Sequence, residues 1–475
     1  MAASLRLTDH ESVLAFLFRR INYERTPASP RRSRALNLDR MRGLLERLGN
    51  PHVRTPFVHI AGTKGKGSTA TMISSILAAA GYRTGLYTSP HLEQLEERIV
   101  VDGQAVSGAE LVDLANSVWP AVAALDDHAG GSDARLSPTF FEITTAMALL
   151  HFARRGVDVA VLEVGLGGRL DSTNVCQPLV SVITSISFDH MRQLGNTLAA
   201  IASEKAGIIK PQVPVVSGVV SEEPAGVIER IAQERHSRLF RLGREFDYTY
   251  HPPACSQTGL VQAASCDYRE TIDGVTRAHG NLQIGLLGPH QAANASVAVA
   301  VVERLRAAGW RCPEQALRTG LAQARCPARV EVLAQRPAII IDTAHNVASI
   351  EALLQTLNES FPRGPRVLIF AASRDKDAAG MLARLLPQFD DVLLTQFVNN
   401  PRAVLPQDLA TLSANILTQR TVNDPRHARV TTCATPSAAW SAAWQRLTPE
   451  HLVCITGSFF LAAEMRTHAC QTLGR

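Results

Sequence analysis

Residues 58–69, Val58-His59-Ile60-Ala61-Gly62-Thr63-Lys64-Gly65-Lys66-Gly67-Ser68-Thr69, decide the fold of the first part of this chain. A short apolar run precedes the glycines, and residues Thr69 to Ala80 then show the apolar spacing of a helix. The stretch therefore predicts a strand, a loop and a helix in direct succession.

The loop of this stretch has the chemistry of a phosphate-binding site. Glycines let the backbone fold closely around phosphate oxygens, and the helix that follows adds the positive end of its dipole. Lys66 supplies a point charge for the β and γ phosphates. Gly67 stands where the usual nucleotide-binding pattern has Ser or Thr, and the hydroxyl comes one residue later. The alternative is a glycine-rich turn without a ligand. The residues predicted to bind ATP here are Gly62, Thr63, Lys64, Gly65, Lys66, Gly67, Ser68 and Thr69.

Strand and helix patterns continue to alternate after the loop. Short apolar runs at 159–163, 180–184 and 213–216 are separated by helical patterns at 140–154 and 198–206. Continuous apolar strands that alternate with helices are typical of a mostly parallel sheet covered on both faces. We predict an α/β fold whose first domain is a nucleotide-binding parallel sheet.

The pattern changes twice further along the chain. Between 246 and 283, short segments rich in Tyr, Thr and Gly predict a small antiparallel sheet. The pair Cys326-Pro327 then resembles a hinge, and a second alternation of strands and helices begins. We predict an ATP-binding domain over 1–325 and a smaller Rossmann-like α/β domain over 326–475.

Composition and charge narrow the class of protein. The 475 residues are 46% hydrophobic with a net charge of +5, which is too small for its length to indicate nucleic-acid binding. The eight cysteines form no C-x-x-C pair, which is typical of a reducing compartment. The stretch Met1 to Arg20 is a poor signal peptide and is too short to span a membrane. A cytoplasmic protein without membrane partners is the expectation.

Motifs in a fixed order give the sequence a family resemblance. The Gly65-Lys66-Gly67-Ser68 ending of the loop resembles the folylpolyglutamate synthase and dihydrofolate synthase branch of the Mur ligase superfamily. Further matching segments are 87–92 (YTSPHL), 162–174 (LEVGLGGRLDSTN), 189–190 (DH), 204–210 (EKAGIIK), 287–294 (LGPHQAAN), 342–346 (DTAHN), 375–377 (DKD) and 457–458 (GS). The resemblance spans residues 35 to 465. It implies an ATP-dependent ligase that adds L-glutamate to dihydropteroate or folate through an acyl phosphate.

The resemblance also implies roles for single residues of the first domain. Mg²⁺ would be bound by Ser89, Glu163 and His190, and a monovalent cation such as K⁺ would be an additional cofactor. Lys205 stands where this family carries a carbamylated lysine, and Asn294 would contact the adenine. Taken alone, Glu163 could form a structural ion pair, His190 could be an ordinary histidine, and Lys205 could pair with Glu204 or be solvated.

In the second domain, the resemblance assigns Arg329 to the ATP phosphates and Asp342 to the ribose. His345 would orient the incoming glutamate, and Ser458 would contact it. The alternative interpretation of the stretch 342–346 is a helix N-cap after a strand, with Asn346 or Thr343 as the capping residue. The family usually has glycine at the positions of Ala328 and Thr343, which are departures near the expected nucleotide and glutamate sites.

Two other functions compete with this interpretation. One is another Mur-type amide ligase, which would act on a cell-wall nucleotide or on cyanophycin; the loop ending and the segment 166–171 (LGGRLD) disfavour it. The other is a nucleotide-dependent kinase or a regulatory P-loop nucleotide hydrolase without ligase activity, which would not need the 342–346 motif. We expect a monomer that binds only small molecules.

Overall fold

The computed structural model describes residues 6–22, 37–128, 137–189, 191–253, 263–361, 364–398, 400–419 and 428–474. The chain forms two compact units. The first comprises Met1–Thr249, Asp267–Leu282 and Ala293–Ala324, and the second comprises Tyr250–Cys266, Gln283–Ala292 and Arg325–Arg475. Between residues 250 and 292, successive segments of the chain belong alternately to the second and the first unit. The single domain boundary at 325/326 that the sequence suggests therefore stays a prediction.

The first unit is built on an eight-stranded sheet with the strand order β4-β3-β2-β5-β1-β6-β7-β8. Six neighbouring strands of this order are parallel to one another, namely β2, β5, β1, β6, β7 and β8. The other two strands, β3 and β4, form an antiparallel edge. All five residues of both β1 and β5 are buried, as expected of central strands covered on two faces. The strands are β1 (Phe57–Ala61), β2 (Thr84–Tyr87), β3 (Ile99–Val101), β4 (Gln104–Ala105), β5 (Val159–Glu163), β6 (Pro178–Ile183), β7 (Val215–Ser217) and β8 (Leu239–Arg241).

Ten helices accompany this sheet along the described part of the chain. One large apolar cluster packs helices against the sheet and includes Phe57, Tyr87, Phe140 and Phe152, each at most 1% exposed. The helices are α1 (His10–Phe18), α2 (Asp39–Arg47), α3 (Lys66–Ala79), α4 (Gly108–His128), α5 (Phe140–Arg155), α6 (Met191–Leu194), α7 (Leu198–Ala206), α8 (Glu222–Glu234), α9 (Pro289–Ala307) and α10 (Glu314–Gln323).

A small three-stranded sheet follows α8. Its strands are β9 (Phe246–His251), β10 (Ala264–Ile272) and β11 (Val275–Ile284), in the order β11-β10-β9. Only the two residues Asp273 and Gly274 separate β10 from β11, and a connection this short requires antiparallel strands. The small antiparallel sheet predicted from the sequence is confirmed.

The second unit contains a six-stranded sheet with the order β12-β13-β17-β14-β15-β16, parallel except for β12. A separate apolar core fills it and includes Ile340, Leu368 and Phe370, all fully buried. The strands are β12 (Glu331–Gln335), β13 (Ala338–Ile341), β14 (Arg366–Phe370), β15 (Asp391–Leu394), β16 (Arg429–Thr432) and β17 (Leu452–Thr456). The helices are α11 (Val347–Ser360), α12 (Ala378–Leu385), α13 (Pro406–Gln419), α14 (Pro436–Trp444) and α15 (Phe459–Thr472).

The α/β fold class is confirmed, and the long buried strands lie within one or two residues of their predicted positions. The sequence analysis did not predict β2, β3, β4, β8 and β16, which have only two to four residues each and therefore too few positions for a period to show. It also missed β12, which has five residues and lies at the edge of the second sheet. Within the described residues, no helix is both long enough and apolar enough to cross a bilayer.

Candidate active site

The phosphate loop runs from the end of β1 to the start of α3, as the sequence predicts. Gly62 and Gly65 both have positive φ, at 153° and 83°, and Gly65 is the N-cap of α3. A Cβ at Gly62 would lie 1.9 Å from Thr184 Oγ1, and one at Gly65 would lie 2.2 Å from Asn294 Oδ1. Both positions therefore require glycine for backbone conformation and for space.

The loop is fixed from the neighbouring strand β6, whose end supplies two residues that the sequence reading missed. Thr184 Oγ1 donates to the Lys64 carbonyl at 2.7 Å, and the amide of Thr63 donates to the Ser185 carbonyl at 2.7 Å. Lys64 N also donates to Ser185 Oγ at 3.0 Å. The only sequence signal was a pair of hydroxyl residues directly after a buried strand. Ser68 and Thr69, also predicted to bind ATP, are buried in the first turn of α3.

Two lysine amines meet at one carbonyl oxygen of this loop. Lys66 Nζ donates to Gly62 O at 3.1 Å, and Lys205 Nζ, from α7, donates to the same oxygen at 2.8 Å. The Lys66 amine also lies 3.9 Å from Glu163 Oε1. The structure thus places the two lysines singled out by the sequence side by side at the phosphate loop.

Lys205 is only 5% exposed, and its surroundings change its protonation. Burial, reinforced by the charge of Lys66, lowers the pKa of the Lys205 amine to about 7. Lys205 is thus buried rather than solvated, and the nearby Glu204 accepts from Arg169 Nη2 at 2.8 Å. Near neutral pH, a large fraction of the Lys205 amines is therefore uncharged.

Two of the three predicted magnesium ligands lie together at the carboxyl ends of β5 and β2. Glu163 Oε2 accepts from the amide of Ser89 at 3.2 Å, and Glu163 is 5% exposed. A Cβ on Gly67 would lie 3.4 Å from the same oxygen, so this carboxylate borders the phosphate loop. His190 lies outside the described residues. Within the described ranges, no three His, Cys, Asp or Glu side chains form a metal-binding group.

A buried carboxylate that the sequence reading did not single out shapes the loop after Glu163. Asp171 Oδ2 accepts from the amides of Gly165 and Leu166 at 3.1 and 2.9 Å, and its Oδ1 accepts from the amide and hydroxyl of Thr173. Burial raises the pKa of Asp171, while these hydrogen bonds oppose the rise. The carboxylate fixes the glycine-rich segment beside Glu163.

Asn294 lies near the start of α9, with its side chain against Gly65 of the phosphate loop. It is half-buried. The structure thus brings together Asn294 and the loop, which are far apart in the sequence, within the first unit.

In the second unit, Asp342 follows β13 and is 7% exposed. Its Oδ2 accepts from the amide of Val330 at 2.9 Å, and its Oδ1 accepts from the amide of Ala344 at 2.7 Å. Thr343 N donates to Ala328 O at 3.0 Å. These bonds tie the segment around Arg329, which is exposed, to the end of β13.

His345 follows in the same turn, and its tautomer can be deduced. Its Nδ1 lies 2.9 Å from the carbonyl oxygen of Thr343, which can only accept, so Nδ1 carries a proton. In the neutral ring, Nε2 is then the acceptor.

Asn346 is the N-cap of α11, where its side chain accepts from Ser349 N at 2.9 Å. This confirms that the 342–346 motif is also a helix cap.

Ser458 is the N-cap of α15, where its hydroxyl accepts from the amide of Phe460 at 3.1 Å. It is 2% exposed. The amide of Gly457 donates to Ala344 O at 3.0 Å, so the segments that carry Ser458 and His345 are adjacent at the carboxyl ends of β17 and β13.

The two departures from the family pattern have different structural consequences. Ala328 adopts φ 52°, the left-handed conformation that glycine tolerates best, so the usual glycine has a conformational reason. Thr343 is 1% exposed, and its hydroxyl has no hydrogen-bond partner among the described residues.

A glycine-rich loop between a central strand and a helix, together with a second parallel-sheet unit, is the architecture of Mur-type amide ligases. Comparison with known families agrees with it: the Mur ligase middle domain matches residues 109–302, and the Mur ligase glutamate ligase domain matches residues 328–459.

Individual relatives narrow this class. The chain is 38% identical to the dihydrofolate synthase/folylpolyglutamate synthase of Bacillus subtilis over 78% of this chain and 83% of the relative. It is 34% identical to the folylpolyglutamate synthase of Lacticaseibacillus casei over 94% and 98%. The Escherichia coli protein solved in complex with DHPP and ADP is 30% identical, with a TM-score of 0.79 over 100% of both chains. This chain belongs to the dihydrofolate synthase/folylpolyglutamate synthase family.

Proposed function

We propose that this protein is an ATP-dependent ligase that joins L-glutamate to dihydropteroate, to tetrahydrofolate polyglutamates, or to both. ADP and phosphate are the other products. The observation that carries the proposal is the approach of two lysine amines, Lys66 and Lys205, to the Gly62 carbonyl of a phosphate loop. Family membership supports the same reaction.

In the first half-reaction, a carboxylate oxygen of the folate-type acid attacks the γ-phosphorus of ATP. The bond from that phosphorus to the bridging oxygen breaks, and ADP leaves. The protein must mainly position the reactants and neutralise charge. Lys66 and the N-terminus of α3 supply positive charge, and the loop from Gly62 to Thr69 binds the phosphates. We assign Asn294 to the adenine, Arg329 to the phosphates and Asp342 to the ribose.

The site proposed for Mg²⁺ has hard oxygen donors, which this ion prefers. The carboxylate of Glu163 and the hydroxyl of Ser89 fit that preference, and we propose His190 as the third ligand. When bound, Mg²⁺ would neutralise charge on the β and γ phosphates. We also propose that a monovalent cation such as K⁺ is an additional cofactor.

We propose that Lys205 is carbamylated. Its neutral amine would attack the carbon of carbon dioxide, forming an N–C bond and releasing one proton, and the product is an anion. An amine with a pKa of about 7 provides this nucleophile at neutral pH, because burial disfavours its charged form. The resulting negative group would lie beside the Lys66 cation and help to orient the metal.

In the second half-reaction, the neutral amine of glutamate attacks the acyl carbon, the bond from that carbon to the phosphate oxygen breaks, and the nitrogen gives up one proton as the amide forms. We propose that His345 orients this amine, and the bond from its Nδ1 to Thr343 O supports the role because it leaves Nε2 as the acceptor of the neutral ring. We propose Ser458 as a further glutamate contact. We also propose that the enzyme is monomeric and cytoplasmic.

The test is to measure phosphate release and incorporation of labelled glutamate with each substrate omitted in turn. A ligase releases phosphate in proportion to amide formed, and only when the folate-type acid and glutamate are both present. Comparing dihydropteroate with tetrahydrofolate as acceptor decides the substrate class. Phosphate release independent of both acids would indicate a regulatory nucleotide hydrolase and overturn the proposal.

A further inference from the structure

The arginine predicted to bind the ATP phosphates has an unusual backbone on both sides. Ala328 and Val330 have φ values of 52° and 48°, in the left-handed region that residues with a Cβ seldom adopt. Arg329 between them is exposed. Such a backbone persists only where surrounding contacts determine it, and strained segments of this kind cluster at functional sites.

Two carboxylates supply those contacts, one on each side of the arginine. The amide of Val330 donates to Asp342 Oδ2 at 2.9 Å, and the amide of Ala328 donates to Glu331 Oε2 at 2.8 Å. Asp342 already has a proposed role at the ribose. Glu331 has none, although it fixes the residue directly before Arg329.

Glu331 is in turn held by Arg466, which lies eight positions after the Ser458 cap of α15. Arg466 Nε donates to Glu331 Oε2 at 2.8 Å, and its Nη2 donates to Oε1 at 3.0 Å. Two-point pairing of this kind restricts the carboxylate in direction as well as position. The side chains are 29% and 21% exposed, so solvent screens the pair only in part.

We infer that Glu331 and Arg466 are positioning residues for ATP, acting through Arg329. Arg466 fixes the Glu331 carboxylate, the carboxylate fixes Ala328, and the left-handed segment then presents the Arg329 side chain in one direction. The inference rests on the proposed function, since it deepens the assignment of Arg329 to the phosphates.

The experiment is a double-mutant cycle on the full-length enzyme, with KM for ATP and kcat as readouts. We expect Glu331→Ala to raise KM for ATP about tenfold, the effect of losing one hydrogen bond to a charged acceptor. Glu331→Gln keeps an oxygen acceptor for the amide of Ala328, so it should raise KM for ATP only about twofold to threefold. In an Arg329→Ala background, Glu331→Ala should add less than about twofold, because the residue through which it acts is gone.

Glu351→Ala is the matched control, since it removes another carboxylate–arginine pair of the same unit, with Arg384 at 2.8 Å. It should leave KM for ATP unchanged. If Glu331→Ala does not fold in thermal melts, Arg466→Met takes its place, because the Glu331 carboxylate then remains while its anchor is lost.

An unchanged KM for ATP in folded Glu331→Ala, or an equal effect with and without Arg329, would overturn the inference. A failure of the proposed function is distinguishable from both outcomes, because the wild-type enzyme itself would then show no ATP-dependent ligation.

Discussion

Lys205→Met tests whether the buried amine of Lys205 is neutral in the folded protein. The pKa of this amine falls from 10.5 to about 7 on folding. One pKa unit corresponds to about 1.36 kcal/mol, so below the folded pKa the change lowers the free energy of unfolding of the protein without a carbamate by about 5 kcal/mol. A methionine has a similar length and no charge, so it removes this term. It also removes the hydrogen bond to Gly62 O, which costs about 1 kcal/mol at every pH.

The sign of the pH dependence follows from proton binding. Between the folded pKa of about 7 and the unfolded value of 10.5, the unfolded chain binds more protons at Lys205 than the folded protein does. The stability of the wild type should therefore rise with pH in that window relative to Lys205→Met. From pH 7 to pH 9 the relative gain should be about 2 kcal/mol.

The assay is denaturant unfolding of both proteins at pH 7, 8 and 9, followed by a probe in the first unit. Buffers free of carbon dioxide come first, because a carbamate would also remove the positive charge. Bicarbonate labelled with ¹³C is then added, and a carbamate signal is expected in the wild type and not in Lys205→Met. If the free energies of unfolding of the two proteins change with pH in the same way, the lowered pKa of Lys205 is refuted. If the wild type is active but shows no ¹³C carbamate signal, carbamylation is refuted.

Three further predictions concern the loop, the arginine segment and a helix cap. Lys66→Ala should abolish measurable glutamate ligation and leave the melting temperature nearly unchanged, because the side chain contacts loop carbonyls and Glu163 rather than the core; near-normal turnover would contradict the loop assignment. Ala328→Gly should raise the free energy of unfolding by about 0.5–1 kcal/mol, because relief of the left-handed conformation outweighs the added chain entropy; Ala439→Gly, inside α14, should lower it and serves as the control. Asn346→Ala should lower the free energy of unfolding by about 1 kcal/mol in thermal or denaturant melts, through loss of the α11 cap, and no loss would contradict that role.

Features encoded by neighbours in the chain could be predicted from the sequence. The strand, loop and helix around Gly62 to Thr69 follow from an apolar run, glycines and a helical period within one short stretch. The cap at Asn346 and the hairpin between β10 and β11 are equally local. Local propensities and side-chain periods act over a few residues, so they are legible without any knowledge of packing.

The protonation of Lys205 and the backbone contacts on both sides of Arg329 were decided by tertiary structure. Lys205 reaches Gly62 O across 143 positions of the sequence, and Arg466 reaches Glu331 across 135. The sequence singled out Lys205 by its motif, yet the lowered pKa depends on burial and on the charge of Lys66. Glu331 gave no sequence signal at all. Desolvation and contacts between distant segments exist only after the strands have packed into sheets, so neither the lowered pKa of Lys205 nor the Glu331–Arg466 pair could be predicted from the sequence.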